Sequence, residues 1–203
     1  MKNIVILISG RGSNMQAIVN AGIPDIRIAA VLSNSATAAG LAWAAERGIP
    51  TDSLNHKDFA SRGAFDQAMM EKIDAYQPDL VVLAGFMRIL TPEFCTRYEG
   101  RLMNIHPSIL PSFTGLHTHE RALVAGCTIH FVTSELDCGP IISQGVVPIF
   151  DNDTADDIAA RVLKVEHRLF PQAVADFAAG RLKIEGNRVI NSRNQPEDRP
   201  LLA

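Results

Sequence analysis

The chain is poor in the features that usually announce a class. Only three cysteines occur in 203 residues. Cys95, Cys127 and Cys138 are odd in number and fall into no metal-ligand spacing. That excludes a disulfide framework or a zinc finger, and it fits a reducing, cytoplasmic setting. Cys138 adjoins Asp137 but has no basic neighbour in sequence to activate it, so it reads as an inert thiol. No apolar run approaches the ~18 residues of a membrane span. Charge of one sign is also missing: a formal net charge of -3 leaves no electrostatic footprint for nucleic acid or an anionic membrane. Repeats and low-complexity stretches are absent. Lys2 leads into an aliphatic run and then Ser9-Gly10-Arg11-Gly12, with no small-residue cleavage site, so the N-terminus reads as a first core strand and not a signal peptide.

What is present is an apolar complement large enough for a core: 47% of residues are hydrophobic and 20% charged. Ile4 to Ile8 is continuously aliphatic, as in a strand buried on both faces of a parallel sheet. Ser13 is placed to cap a helix through Ala21 that Gly22 ends, and Ile26 to Leu32 follows as a second strand. Ala36 to Arg47 and Arg62 to Tyr76 read as helices, Leu80 to Ala84 and Arg101 to Ile105 as strands. This βαβα order predicts an α/β protein, an open, mostly parallel, Rossmann-like twisted sheet with helices on both faces. Thr128 to Thr133 is strand-like, and Pro140 to Phe150 reads as a strand pair or an irregular extended segment. Asp153-Thr154 caps a long helix through Ala178, and Arg181 to Ile190 resembles a hairpin turning at Gly186-Asn187. One domain is expected over residues 1–190, with a loose polar tail over 191–203.

Three stretches carry chemistry. Ser9-Gly10-Arg11-Gly12-Ser13-Asn14, between the first strand and helix, is suited to cradling one phosphate on backbone N–H groups at a helix N-terminus. It is neither a Walker loop nor a full dinucleotide fingerprint, and Ser33-Asn34 stands where a dinucleotide site needs an acid. Its bland alternative is a turn that only joins strand to helix. The run from Leu83 to Leu90 ends a central strand; Phe86, Met87, Ile89 and Leu90 either wall a pocket for a flat ring or are simply core. Finally, Asn104-Ile105-His106-Pro107-Ser108-Ile109-Leu110-Pro111 and Glu135-Leu136-Asp137-Cys138-Gly139-Pro140 bring an amide, an imidazole and a carboxylate into a short stretch of sequence. An amide beside a His that a carboxylate orients suits stabilisation of a tetrahedral oxyanion and movement of its proton, which points to acyl or formyl transfer. His130, in a strand, reads as a buried, hydrogen-bonded residue. His117 and His119 mimic a metal pair, but their i, i+2 spacing does not share a helical face and no third ligand is evident, so no metal is expected.

Taken together, I-S-G-R-G-S-N, V-V-L-A-G-F-M-R-I-L, N-I-H-P-S-I-L-P, G-L-H-T-H and H-F-V-T-S-E-L-D-C-G-P-I-I resemble the phosphoribosylglycinamide formyltransferases, a branch of the folate-dependent formyltransferase family. The likeness runs from Asn3 to about Leu182. It implies transfer of a formyl group from 10-formyltetrahydrofolate, as co-substrate, to the amine of 5-phosphoribosylglycinamide in purine biosynthesis. It also implies a catalytic trio of Asn104, His106 and Asp137. Gly12, Ser13 and Asn14 match the family's phosphate-holding loop, and Glu166 its contact near the ribose. Met87, Arg88, Ile89 and Leu90 match the pterin-lining segment, and Arg62 a basic residue near the folate tail. Thr133, Ser134, Glu135, Leu136 and Asp137 match the loop that closes over the pterin, which Asn104 also borders. The partners implied are these small molecules, with no nucleic acid and no membrane, in a monomer or homodimer.

Two rivals share the Asn-x-His and L-D-x-G-P features: 10-formyltetrahydrofolate hydrolase and the catalytic domain of methionyl-tRNA formyltransferase. The first normally carries an extra N-terminal domain and the second an extra basic C-terminal one, and neither is expected here. A non-catalytic nucleotide-binding sensor would keep the pocket without the chemistry, against which the intact trio argues. The chain departs from the family pattern between Ala125-Gly126 and Cys127-Thr128, where relatives usually carry several more residues. Either the connection is short, with a helix from His119 running almost into the strand, or residues that belong there are missing; a short connection would bear on how Asp137 is positioned, though not on the identity of the trio.

Overall fold

The computed structural model describes residues 1–111 and 125–193. Among the described residues, nine strands and five α-helices follow in the order β1 (Lys2–Ile8), α1 (Ser13–Asn20), β2 (Ile26–Ser33), α2 (Ala39–Ala45), β3 (Thr51–Ser53), α3 (Arg62–Asp74), β4 (Leu80–Leu83), α4 (Pro92–Arg97), β5 (Leu102–His106), β6 (Ala125–Phe131), β7 (Ile141–Val147), α5 (Ala155–Ala178), β8 (Leu182–Glu185) and β9 (Arg188–Asn191). Seven strands form one sheet in the order β3-β2-β1-β4-β5-β6-β7, and β8-β9 is a separate hairpin. Strands β1 to β5 pair in parallel, whereas β6 and β7 run antiparallel to their neighbours.

The aliphatic run of β1 explains itself in the packing. Ile4, Ile6 and Ile8 point into a core under α1 and α5 that includes Met15, Ile18, Phe170 and Val174. Val5 and Leu7 point the other way, into a core with Phe65, Met69, Phe94 and Tyr98 from α3 and α4. A strand whose alternate side chains feed two cores has no polar face to show. Phe86 belongs to this second core, so of the two readings of that residue the structural one holds.

Several boundaries move for identifiable reasons. The cap of α1 is Gly12, in the left-handed region at φ 68°, and not Ser13, which is the first helical residue. Helix α2 starts at Ala39 because Ser33, Ser35 and Thr37 hold residues 33–38 in a turn: Ser35 N–H donates to Ser33 Oγ at 3.1 Å, and the Ser35 and Thr37 hydroxyls lie 3.0 Å apart. Two elements carried no readable pattern, the three-residue edge strand β3 and the six-residue α4, the latter capped by Thr91 with Pro92 in its first turn. Pro140 to Phe150 resolves into the single strand β7. Helix α5 starts on a capping box in which Thr154 and Asp157 each accept from the other's backbone N–H.

The expected break between Gly126 and Cys127 is not there. Ala125, Gly126 and Cys127 pair in unbroken register with Val147, Val146 and Gly145. The strand thus begins three residues earlier than its β-branched stretch suggested, and any shortening lies upstream of Ala125. The hairpin reaches Asn191, whose side chain donates to Asp176 at 2.9 Å, and Arg193 makes an ion pair with the same carboxylate at 2.8 Å. The remainder of the expected tail, 194–203, lies outside the described residues, as do His117 and His119.

Candidate active site

Strand register sets the level of the site. Leu7 pairs with Leu83, and Leu83 with Asn104. The carboxyl ends of β1, β4 and β5 therefore stand side by side at one edge of the sheet. Strand order reverses direction between β1 and β4, which is where open α/β sheets leave a crevice for ligands. A cleft of about 280 Å³ lies there, lined by residues 9–14, Ala84, Gly85 and Met87.

At the β1 end, Gly12 turns the chain into α1 with no side chain capping the helix and no acidic residue in its first turn. The first N–H groups of α1 and the positive end of its dipole are thus left for an anion. Asn14 is buried, and its Nδ2 donates to Glu166 Oε2 of α5 at 2.8 Å. Gly12, Ser13, Asn14 and Glu166 are therefore one group in space. Burial pushes the Glu166 carboxyl up, against the opposing effects of the Asn14 hydrogen bond and the charge of His106.

The segment from Met87 to Leu90 is held at both ends. Met87 N–H donates to Ser9 Oγ at 2.8 Å, and Ser9 in turn donates to Asn34 Oδ1 at 2.7 Å. Thr91 N–H donates to the buried Asp66 Oδ2 at 2.7 Å. Ser9, Asn34 and Asp66 were not singled out individually, because their roles depend on which loops meet. Between these anchors Met87 and Ile89 are 62% and 58% exposed, apolar surface that is costly to leave in water and ready to meet a flat ring. Arg88 lies over the Phe65 ring at 4.8 Å. Arg62 is exposed at the first position of α3, one turn before Phe65.

Asn104 and His106 sit on β5, and β6 runs antiparallel beside it so that Asn104 faces His130 and His106 faces Thr128. The segment 132–139 then folds back over this edge. In it Thr133 Oγ1 donates to the Glu135 carbonyl at 3.1 Å, Ser134 and Glu135 are exposed, and Leu136 is 51% exposed. Asp137 takes a left-handed backbone, φ 55°, a conformation Asp and Asn tolerate better than other side-chain-bearing residues. Its side chain turns inward, 7% exposed, with Oδ2 3.6 Å from His106 Nδ1 and Oδ1 3.9 Å from His130 Nε2. Gly139 is required by close approach: a Cβ there would stand 1.8 Å from the Phe131 carbonyl oxygen. The trio of Asn104, His106 and Asp137 thus converges, and His130 joins it.

The thiols stay out of this chemistry. Burial pushes Cys127 up to about 12, and Cys138 is pushed up by desolvation first and by Glu135 next. Among the described residues no group of three or more His, Cys, Asp or Glu is placed to hold a metal ion, and no helix is long and apolar enough to cross a membrane.

Residues 2–174 match the family described as formyl transferase. The chain belongs to the formyl transferase family. Within it, this formyltransferase is 51% identical to phosphoribosylglycinamide formyltransferase of Escherichia coli K12, over 91% of each chain. It is 43% identical to the trifunctional purine biosynthetic protein adenosine-3 of Bos taurus, covering 91% of this chain and 19% of that larger protein. In three dimensions it is similar to glycinamide ribonucleotide transformylase 1 of Symbiobacterium toebii, with a TM-score of 0.90, 46% identity and 94% of both chains covered.

Proposed function

We propose that the chain transfers the formyl group of 10-formyltetrahydrofolate to the amine of 5-phosphoribosylglycinamide, the reaction its named relatives suggest. The observation that carries this reading is the meeting, at one sheet edge, of an anion-ready helix start with Asn104, His106 and Asp137. In this reading Gly12, Ser13 and Asn14 hold the phosphate and Glu166 stands near the ribose. Met87 to Leu90 and Thr133 to Asp137 border the pterin, and Arg62 lies toward the folate tail. The phosphate loop belongs to the first half of the domain and the catalytic trio to the second, while Glu166 of the second half serves the ribonucleotide and Met87 to Leu90 of the first half the pterin.

The chemistry needs no covalent enzyme intermediate. The glycinamide nitrogen attacks the formyl carbon, one C–N bond forms, and the carbonyl oxygen takes up negative charge. Donors on Asn104 Nδ2 and the His106 ring face that oxygen, and a preorganised donor of this kind typically lowers a barrier by ~3–4 kcal/mol. Asp137 faces the Nδ1 side of that ring and orients it. The bond from the formyl carbon to N10 then breaks, and the proton lost by the attacking amine ends on N10, relayed by a water at the Asp137 carboxylate.

The test is to follow deformylation of 10-formyltetrahydrofolate by the purified protein with and without 5-phosphoribosylglycinamide. Turnover that requires the amine is expected. Formate release without it would make the protein a hydrolase, and ligand-dependent thermal stabilisation without turnover would make it a sensor.

A further inference from the structure

His130 is buried in β6, directly across the antiparallel ladder from Asn104, and both of its ring nitrogens are engaged. Nδ1 lies 2.9 Å from the Phe131 carbonyl oxygen, and Nε2 lies 3.2 Å from Asn104 Nδ2. A carbonyl oxygen only accepts, so Nδ1 carries the proton. In the neutral ring Nε2 is then a bare acceptor, and the group that meets it has to donate. Of the two ends of the Asn104 carboxamide only the NH₂ can do so; a flipped amide would set Oδ1 against the ring lone pair.

We infer that His130 is a positioning residue that locks the Asn104 carboxamide with its NH₂ toward the ring, so that one N–H is spent on Nε2 and the second is held for the formyl oxygen. This rests on the proposed formyl transfer and adds to it a residue outside the trio. The neutral state follows from what surrounds the ring. Burial opposes its charging and outweighs the favourable influences of the Phe131 carbonyl and Asp137, and His106 adds to the opposition. Asp137 Oδ1 stands 3.9 Å from Nε2, too far to take a proton from it in a hydrogen bond. The Gly139 approach belongs to the same device, because the Phe131 carbonyl that a side chain would displace is the group that selects the tautomer.

Two kinetic comparisons and one spectroscopic measurement test this. His130→Leu keeps bulk and removes the acceptor. It is expected to lower kcat about ten- to a hundredfold, within the range seen when one oxyanion donor is lost, while KM for both substrates stays within about threefold. His130→Gln, whose Oε1 can take the place of Nε2, is expected to recover most of that loss. In an Asn104→Ala background His130→Leu should cost less than about threefold further, since the two residues act as a unit. A full independent loss in that background, or unchanged kcat in the single variant, would overturn the assignment. Should His130→Leu not fold, the ¹⁵N spectrum of the wild-type imidazole decides: a neutral ring protonated on Nδ1 at neutral pH is expected, and a ring protonated on Nε2 would overturn the assignment. That spectrum is independent of turnover, so a protein that failed to transfer formyl groups would sink the functional reading while leaving the tautomer question separately answered.

Discussion

The parallel and antiparallel halves of the one sheet build their parts of the site in different ways. In the parallel half, β1 and β4 contribute only their carboxyl ends: Ile4 to Ile8 and all of β4 are core, and the cleft lies at the turns after them. In the antiparallel half, β5 and β6 contribute a face, since Asn104 and His130 meet across the ladder in mid-strand. Strand β6 is buried at every position, so the antiparallel pair differs not in exposure but in carrying the polar side chains Asn104, His106 and His130, beside which the loop bearing Asp137 is laid. The lesson is that the turn proposed for phosphate depends on backbone geometry and the proposed catalytic cluster on side-chain register.

Substitutions in the proposed catalytic cluster should therefore cost most. Asp137→Asn keeps a residue type that accepts the left-handed backbone seen there, so the change isolates the charge. It is expected to lower kcat about 10²–10³-fold, or ~3–4 kcal/mol in barrier, with a normal unfolding midpoint. Near-normal turnover would show that the antiparallel half does not carry the chemistry.

Gly139→Ala comes next. Its methyl would meet the Phe131 oxygen at 1.8 Å, which the backbone can relieve only by shifting the loop off β6. A loss of about 1–3 kcal/mol in stability is expected, together with a roughly tenfold fall in kcat. Denaturant titration and steady-state kinetics would measure both, and an unchanged protein would mean that the loop closure is not tied to catalysis.

The smallest effect is expected at the phosphate end, from Glu166→Gln. Burial raises the Glu166 carboxyl above its ordinary value. The folded state therefore holds the proton more tightly than the unfolded chain does, and the stability this contributes is present at low pH and lost as pH rises through the raised value. Glutamine has no such loss. Its melting temperature relative to wild type should therefore rise modestly between about pH 4 and pH 8, while KM for the ribonucleotide increases. A variant whose melting temperature tracked wild type at every pH would remove Glu166 from the account of this end.

Much of this was readable in advance, and the failures have physical causes. The long aliphatic strands, the glycine turn and the capped α5 announce themselves through local pattern, because local backbone preference and burial on both faces decide them. Strand β3 and helix α4 escaped because three and six residues are too few to show a period. Ser13 was misassigned as the cap because a glycine with φ 68° does that work with no side chain to read. The connection before Cys127 was misplaced because Ala125 and Gly126 carry no strand signal of their own and are strand only by pairing with β7.

The chain order by itself determined the fold class, and it pointed to the amide, imidazole and carboxylate proposed for the chemistry and to the turn proposed for an anion. All of these follow from residue types and short spacings. Only the tertiary structure decided that Glu166 reaches Asn14 across 152 residues and that His130 stands opposite Asn104 across 26. The physical reason is that hydrogen bonds and charges act over a few ångströms. Partners so distant along the chain acquire a proton assignment or a shifted acidity only after helix packing and strand register have brought them that close.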